Sequence, residues 1–201
     1  TLDVGPLGEL LEPSGTLAFE DAVAEYGRIV RAGVAAGADI LYFETFTDLY
    51  EMKAALLAAK ENSTLPIMAS MSFEANGRTF TGCTVESFAA TARGLGANAV
   101  GINCSLGPKE IFPMAKRLAE AVPGDFPVFV KPNAGLPRAD GSGYDITPQL
   151  YAMQMKPYRE LHLFAAGGCC GTTPEFIQML NGVFADCKPG RPEHPMLSVI
   201  C

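Results

Sequence analysis

The sequence lacks the marks of several large protein classes. It has 15 lysines and arginines against 22 aspartates and glutamates, and the formal net charge is −7. Charges of one sign form no block, and a nucleic-acid surface, which needs a clustered basic face, is therefore not expected. No apolar run approaches the ~18–20 residues that cross a bilayer, so we expect no membrane partner.

Further absences narrow the remaining classes. Residue 1 is Thr rather than Met, and no charged segment followed by an apolar one comes after it. We therefore expect no secretory signal here and a natural start upstream of Thr1. No G-x-G-x-x-G follows the first predicted strand, which weakens a dinucleotide-binding interpretation. Six cysteines in a 201-residue chain with 48% hydrophobic residues favour a reduced, cytoplasmic, partly metal-bound protein over a disulfide framework.

What is present is an alternation of short apolar runs and longer amphipathic runs. The apolar runs predict buried parallel strands and the amphipathic runs predict helices. The predicted strands are 1–6, 38–45, 65–73, 97–104, 126–133 and 161–168. The predicted helices are 19–37, 47–61, 84–96, 107–122, 147–160 and 173–186. Thr47 is the expected cap of the second helix.

Six βα units fit two architectures, a doubly wound open sheet and a (β/α)8 TIM barrel. A barrel needs eight units, so the first two would lie upstream of Thr1. We assign residues 1–186 to this N-terminally incomplete barrel domain. Residues 187–201 are assigned to a C-terminal tail or linker toward a following domain.

Polar residues stand at the carboxyl ends of the predicted strands. They are Glu44, Asn103, Cys104, Lys131, Asn133, Cys169 and Cys170. In a parallel barrel these ends gather on one face, which carries the active site. Residues distant in sequence are therefore predicted to meet around one point.

The adjacent cysteines Cys169 and Cys170 need a turn in the backbone to serve one centre, because neighbouring side chains of a strand point to opposite faces. Two glycines directly before them permit that turn. Thr172 or Thr173, followed by Pro174, then begins a helix.

With Cys104, the cysteine pair makes three thiolates from separate strand ends. No C-x2-C occurs, so a closed structural zinc site is not favoured. Three protein ligands leave one position open. Three thiolates make zinc a weak Lewis acid for water, and a substrate thiol suits that position better.

The segments GINC (101–104), KPNAG (131–135) and GGCCGTTPEF (167–176) resemble the homocysteine S-methyltransferase family. The segments DVGPLGELLEP (3–13) and FETFTDLYEMKAAL (43–56) resemble the third and fourth βα units of that family, especially the homocysteine-binding module of cobalamin-dependent methionine synthase. The resemblance covers essentially the whole chain. The D-G-A/G motif of the family's first βα loop has no match in this sequence.

The resemblance implies a (β/α)8 barrel that binds zinc through Cys104, Cys169 and Cys170 and methylates homocysteine to methionine. Glu44 matches the acidic residue that pairs with the substrate's amino group. We also assign Asn103 and Asn133 to substrate binding. The alternative for Asn103 is a hydrogen bond across strand ends. For Asn133, the alternatives are a structural turn or an amide oxygen that fills the fourth zinc position before substrate arrives.

The tail HPMLSVIC (194–201) resembles the end of the barrel in the modular synthases, and this resemblance implies methylcobalamin as the methyl donor. The chain has no D-x-H-x-x-G corrinoid motif, so the donor is expected on a separate module. Expected partners are corrinoid- and folate-binding modules of the same polypeptide or of a partner chain. Betaine or S-methylmethionine is the alternative donor. Two other functions stay open: a phosphate-binding barrel that uses the glycine turn, and a non-catalytic, zinc-stabilised barrel fragment.

The other candidate ligands are expected to take no part in the site. Cys83, Cys187 and Cys201 are treated as bystanders. Of the two histidines, His162 is predicted to begin a strand on the face away from the chemistry, and His194 lies in the proline-rich tail.

Overall fold

The computed structural model describes residues 1–190. Its six strands form one parallel sheet, and each strand pairs with the next one in sequence. The strands are β1 (Leu2–Val4), β2 (Leu41–Phe46), β3 (Ile67–Met71), β4 (Ala99–Asn103), β5 (Val128–Lys131) and β6 (Ala165–Ala166). The helices are α1 (Phe19–Ala35), α2 (Leu49–Asn62), α3 (Val85–Gly94), α4 (Pro108–Glu120), α5 (Pro148–Met155) and α6 (Pro174–Phe184), with a 3-10 segment at Lys156–Leu161.

The strand order decides between the two predicted architectures. A doubly wound sheet reverses its strand order at a switch point, whereas a barrel adds each strand beside its predecessor. The observed order runs from β1 to β6 without reversal. The protein therefore contains six consecutive units of a (β/α)8 barrel, and within residues 1–190 the sheet is open, with β1 and β6 at its edges.

Three local predictions need correction. Asp48, not Thr47, caps α2, because its carboxylate accepts the backbone N–H of Tyr50 at 3.0 Å. The predicted helix 147–160 changes to 3-10 geometry after Met155, where Pro157 lacks the N–H that an α-helix needs. His162 does not begin a strand. It ends the 3-10 segment with a left-handed φ of 47°.

The main hydrophobic core lies between the sheet and the helices. Outward-facing strand residues such as Phe43, Val100 and Val130 are fully buried there. The opposite, inner face of the sheet carries a smaller cluster of Tyr42, Met68, Ala99 and Phe129. This alternation is the period of two that a sheet covered on both faces requires.

The remaining features of the fold concern its ends. No helix within residues 1–190 is both long and apolar enough to cross a membrane. The predicted tail begins at Cys187, and its residues from 191 onward, including His194 and Cys201, lie outside the described residues.

Candidate metal centre

Three cysteine side chains converge at the carboxyl ends of β4 and β6. Cys104 follows β4 directly, and Cys169 and Cys170 follow β6. Their three Sγ atoms all lie within 4.8 Å of one another. The Sγ atoms of Cys104 and Cys170 are 3.7 Å apart. The predicted convergence of residues distant in sequence is therefore present in the fold.

The backbone after β4 turns sharply to present Cys104. Both Cys104 and Ser105 have a φ of 61°, in the left-handed region that non-glycine residues rarely adopt. The N–H of Cys104 still donates to the carbonyl of Lys131 at 3.0 Å, so the turn begins where the β4–β5 ladder ends. Strained backbone of this kind is concentrated at functional sites.

The loop after β6 is tied to the loop after β5. The N–H of Cys169 donates to the carbonyl of Pro132 at 2.8 Å, and the N–H of Ala134 donates to the carbonyl of Cys170 at 2.9 Å. Asn133, which is only 4% exposed, accepts the N–H of Cys170 with Oδ1 at 3.1 Å. These contacts hold the turn that the cysteine pair requires. The prediction that the two preceding glycines make the turn through a positive φ is wrong: neither Gly167 nor Gly168 has one, and the positive φ of this loop, 78°, is at Gly171.

Hydrogen bonding between the thiols makes one of them acidic. The hydrogen bond with Cys169 lowers the pKa of the Cys104 thiol to about 7, against the opposing effect of burial. The same hydrogen bond, together with burial, raises the pKa of Cys169. A hydrogen bond donated by the Cys169 thiol thus favours the thiolate form of Cys104.

The cluster fits a zinc ion by its sulfur geometry. With Zn–S bonds of ~2.3 Å, the ligands of a tetrahedral site lie roughly 3.8 Å apart. The 3.7 Å separation of Cys104 and Cys170 matches that value, and the 4.8 Å limit on all three pairs needs only a small further approach. Soft thiolate donors select zinc over magnesium or calcium.

A charged cluster occupies the inner face of the sheet beside the cysteines. Glu44 Oε2 lies 2.6 Å from Lys131 Nζ, and Lys131 also sits over the Tyr42 ring at 4.7 Å from its centroid. Burial alone would raise the pKa of Glu44, but hydrogen bonds with Lys131, Tyr42 and Asp3 outweigh burial and lower it. Burial and the neighbouring Glu44 raise the pKa of Asp3. These contacts therefore favour the ionised form of Glu44.

Asn103 lies between this charged cluster and the cysteines. It is fully buried, and its Nδ2 is 3.5 Å from Glu44 Oε2 and 3.8 Å from Cys169 Sγ. All six predicted site residues thus fall at one end of the sheet. Cys83 and Cys187 lie outside the three-cysteine cluster.

Four residues of this site were not among the predicted site residues, although the sequence places Lys131 at the end of its predicted strand. They are Lys131, Tyr42, Thr45 and Ser70. Strand alternation could have found two of them, since Tyr42 and Lys131 share the inward face with Glu44. The role of Thr45 depends on an irregularity in β2, for which the sequence carries no signal.

Comparisons with known proteins agree with this geometry. A family model described as homocysteine S-methyltransferase matches residues 1–184. The methionine synthase of Mycobacterium leprae (strain TN) is 33% identical over 162 residues, which is 77% of this chain and 13% of that protein. This chain therefore spans only a small part of that curated relative.

Solved structures give the same fold. The apo form of the homocysteine methyltransferase MmuM from Escherichia coli has a TM-score of 0.72 at 25% identity, over 90% of this chain and 61% of that one. Its metallated form has a TM-score of 0.69 at 24% identity, over 83% of this chain and 52% of that one. N-acetylneuraminate lyase from Mycoplasma synoviae, with a TM-score of 0.56 at 12% identity over 92% of this chain and 60% of that one, shares the fold alone.

Proposed function

Because this chain belongs to the homocysteine S-methyltransferase family, we propose that Cys104, Cys169 and Cys170 bind zinc and that the chain transfers a methyl group to the thiol of homocysteine. The observation that carries the proposal is the convergence of three thiols from two strand ends within 4.8 Å. When bound, zinc would lower the pKa of a substrate thiol while the surrounding thiolates keep its sulfur nucleophilic.

The residues around the cluster support recognition of an amino acid. Glu44 keeps a negative charge at neutral pH, because hydrogen bonds outweigh the effect of burial on its pKa. We assign it to the substrate's ammonium group. Asn133 Oδ1 accepts a hydrogen bond from the Cys170 N–H. We retain the hypothesis that its amide oxygen occupies the fourth zinc position before substrate arrives.

The chemistry balances without a redox partner. A sulfur–carbon bond forms, the bond from the methyl carbon to the donor breaks, and its electron pair stays with the donor. The thiol proton is released to solvent. The chain's task is to orient the thiol and bind the ammonium group, and general positioning of this kind accounts for much of enzymatic rate enhancement.

We propose methylcobalamin on a separate module as the donor. The similarity to a methionine synthase over 13% of that protein's length supports a modular arrangement with corrinoid- and folate-binding partners. Betaine and S-methylmethionine are the alternative donors. A reducing, cytoplasmic location stays a prediction, and it fits a site whose described cysteines form no disulfide.

The phosphate-binding alternative has weak support. The N–H groups of Cys169, Cys170 and Thr172 are already bonded within the protein. These three N–H groups are therefore not available to an anion at this loop.

The test is the metal content of the reduced, purified chain and its response to homocysteine. We expect one zinc ion per chain, and we expect each of Cys104→Ser, Cys169→Ser and Cys170→Ser to lose it. Cys187→Ser is the matched control, because Cys187 is outside the cluster, and it should retain zinc. A zinc-free wild type, or full zinc retention in a cluster variant, would contradict the proposal.

Cobalt(II) in place of zinc reports on the substrate step. Homocysteine should change the cobalt absorption of the loaded chain, since its thiolate would add to the three cysteine ligands. Metal without any homocysteine-dependent change would instead support the non-catalytic, zinc-stabilised fragment. Donor assays with methylcobalamin, betaine and S-methylmethionine then separate the three donors.

A further inference from the structure

We propose that Asn103 is a positioning residue, which holds Thr45 in a left-handed backbone conformation and thereby places the Glu44 carboxylate for the substrate's ammonium group. The inference rests on the proposed function, because it takes Glu44 as the residue that binds that group. It gives Asn103 an indirect role in place of direct contact with substrate.

Strand β2 is irregular at Thr45. Thr45 has a φ of 68°, which is exceptional for a β-branched residue. The β2–β3 register shifts between Phe43 and Phe46, and both phenylalanines are buried in the core toward the helices. In a regular strand, residues three apart would face opposite ways. The extra residue therefore leaves Glu44 and Thr45 together, both partly buried, between two outward-facing phenylalanines.

The amide of Asn103 contacts Thr45 at two points. Its Oδ1 accepts the backbone N–H of Thr45 at 3.0 Å, and its Nδ2 donates to the Thr45 hydroxyl at 2.7 Å. Ser70 donates its hydroxyl to the same Oδ1 at 2.8 Å, which fixes the orientation of the amide. A two-point contact with one residue holds a backbone conformation that the residue's own preferences oppose.

The left-handed conformation of Thr45, which we call the kink, affects Glu44 because Glu44 is the residue directly before it. Asn103 Nδ2 is 3.5 Å from Glu44 Oε2 and 3.8 Å from Cys169 Sγ. The kink therefore sets the position of the carboxylate relative to the thiols. Asn103 itself is 0% exposed, so it presents no surface to a bound substrate, and its effect must pass through Thr45 and Glu44.

The experiment compares two thiols on the cobalt(II)-loaded chain. Homocysteine carries the ammonium group, and 4-mercaptobutanoic acid has the same thiol and carboxylate without it. Asn103→Ala should weaken homocysteine binding by about tenfold or more, as expected when a charge-assisted contact is misplaced. Binding of the amine-free thiol and the cobalt content should stay unchanged. Equal weakening of both thiols would indicate general damage to the site and would overturn the inference.

A second substitution at Thr45 tests whether Asn103 acts through the conformation of Thr45 or has only a general structural role. Glycine adopts a φ near 68° without strain, so Thr45→Gly in the Asn103→Ala background should recover most of the homocysteine binding. No recovery would contradict the proposal. Asn103→Asp, which keeps the acceptor and removes the Nδ2 donor, serves as the second variant if Asn103→Ala does not fold, and it should show the same selective loss.

Asn98→Ala is the matched control. Asn98 Oδ1 also accepts a neighbouring strand's backbone N–H, that of Ile67 at 2.9 Å, but at the amino ends of β3 and β4. This variant should bind both thiols as wild type does.

Failure of the proposed function has a different signature. A wild type that binds both thiols equally, or neither, removes the role of Glu44. Urea unfolding then tests the contact between Asn103 and Thr45 independently of substrate. Asn103→Ala should lower the urea midpoint of unfolding less in a Thr45→Gly background than in wild type. Equal shifts in both backgrounds would refute the Asn103–Thr45 coupling.

Discussion

The ring of Phe129 lies directly over Gly101 on the inner face of the sheet, and this contact makes Gly101→Ala a sharp test of the packing beneath the site. A β-carbon at Gly101 would stand 2.4, 2.5 and 2.6 Å from three carbons of that ring. Carbon atoms in favourable contact are about 3.5–4.0 Å apart. The ring would therefore have to retreat by about 1 Å or more.

Phe129 has little room to retreat. It is 2% exposed and packs edge-on against Tyr42, with ring centroids 5.5 Å apart. Overpacking of this kind costs about 1–3 kcal/mol. For a domain of this size, 1 kcal/mol changes Tm by about 2–4 °C, so we expect Tm to fall by roughly 2–12 °C.

Thermal unfolding followed by circular dichroism measures the effect. Gly182→Ala is the matched control, because Gly182 lies inside α6 with nothing within 4 Å of an added β-carbon. Alanine there should leave Tm unchanged or raise it, since it removes the entropic cost of a helical glycine. Phe129→Leu should offset part of the loss in the Gly101→Ala background. A Gly101→Ala variant as stable as wild type would refute the packing argument.

Two further predictions concern helix α2. Burial raises the pKa of Glu51, which accepts hydrogen bonds from Tyr26 (2.8 Å) and from the N–H of Leu7 (2.7 Å). The folded state therefore holds this proton more tightly, and stability is lost as pH rises from the ordinary value of 4.5 through the raised one. Urea unfolding should show that Glu51→Gln, which keeps both acceptor contacts, removes this pH-dependent loss; an unchanged profile would contradict it. Separately, Asp48→Ala should lower the free energy of unfolding by about 0.5–2 kcal/mol through loss of the cap, whereas Thr47→Ala should leave it unchanged. Thermal unfolding of the two variants measures this, and a larger loss for Thr47→Ala would show that Thr47 is the cap.

The βα units were readable from the sequence because their signals are local. Apolar periodicity and the proline after Thr173 depend on neighbouring residues, and α6 begins at Pro174, one residue after the start of the predicted helix 173–186. Boundaries were less certain. The last predicted strand, 161–168, is shorter in the structure and covers only Ala165–Ala166. Within the described residues it pairs with β5 alone, at two positions.

The cysteine site was predictable in composition but not in geometry. Parallel strands bring their carboxyl ends to one face, so the meeting of Cys104 with the cysteine pair follows from topology. The 3.7 Å approach of Cys104 and Cys170, across 66 residues of sequence, depends on the left-handed turn after β4 and on the contacts of the β6 loop.

The sequence by itself determined the order of the elements, the buried faces of the strands and the presence of three thiols at strand ends, because backbone preference and burial pattern are properties of adjacent residues. Only the tertiary structure decided that Thr45 is held left-handed by Asn103, 58 residues away. It also decided that Glu44 is paired with Lys131, 87 residues away. Such contacts depend on register and on local irregularities of the strands, which are set when the whole sheet assembles.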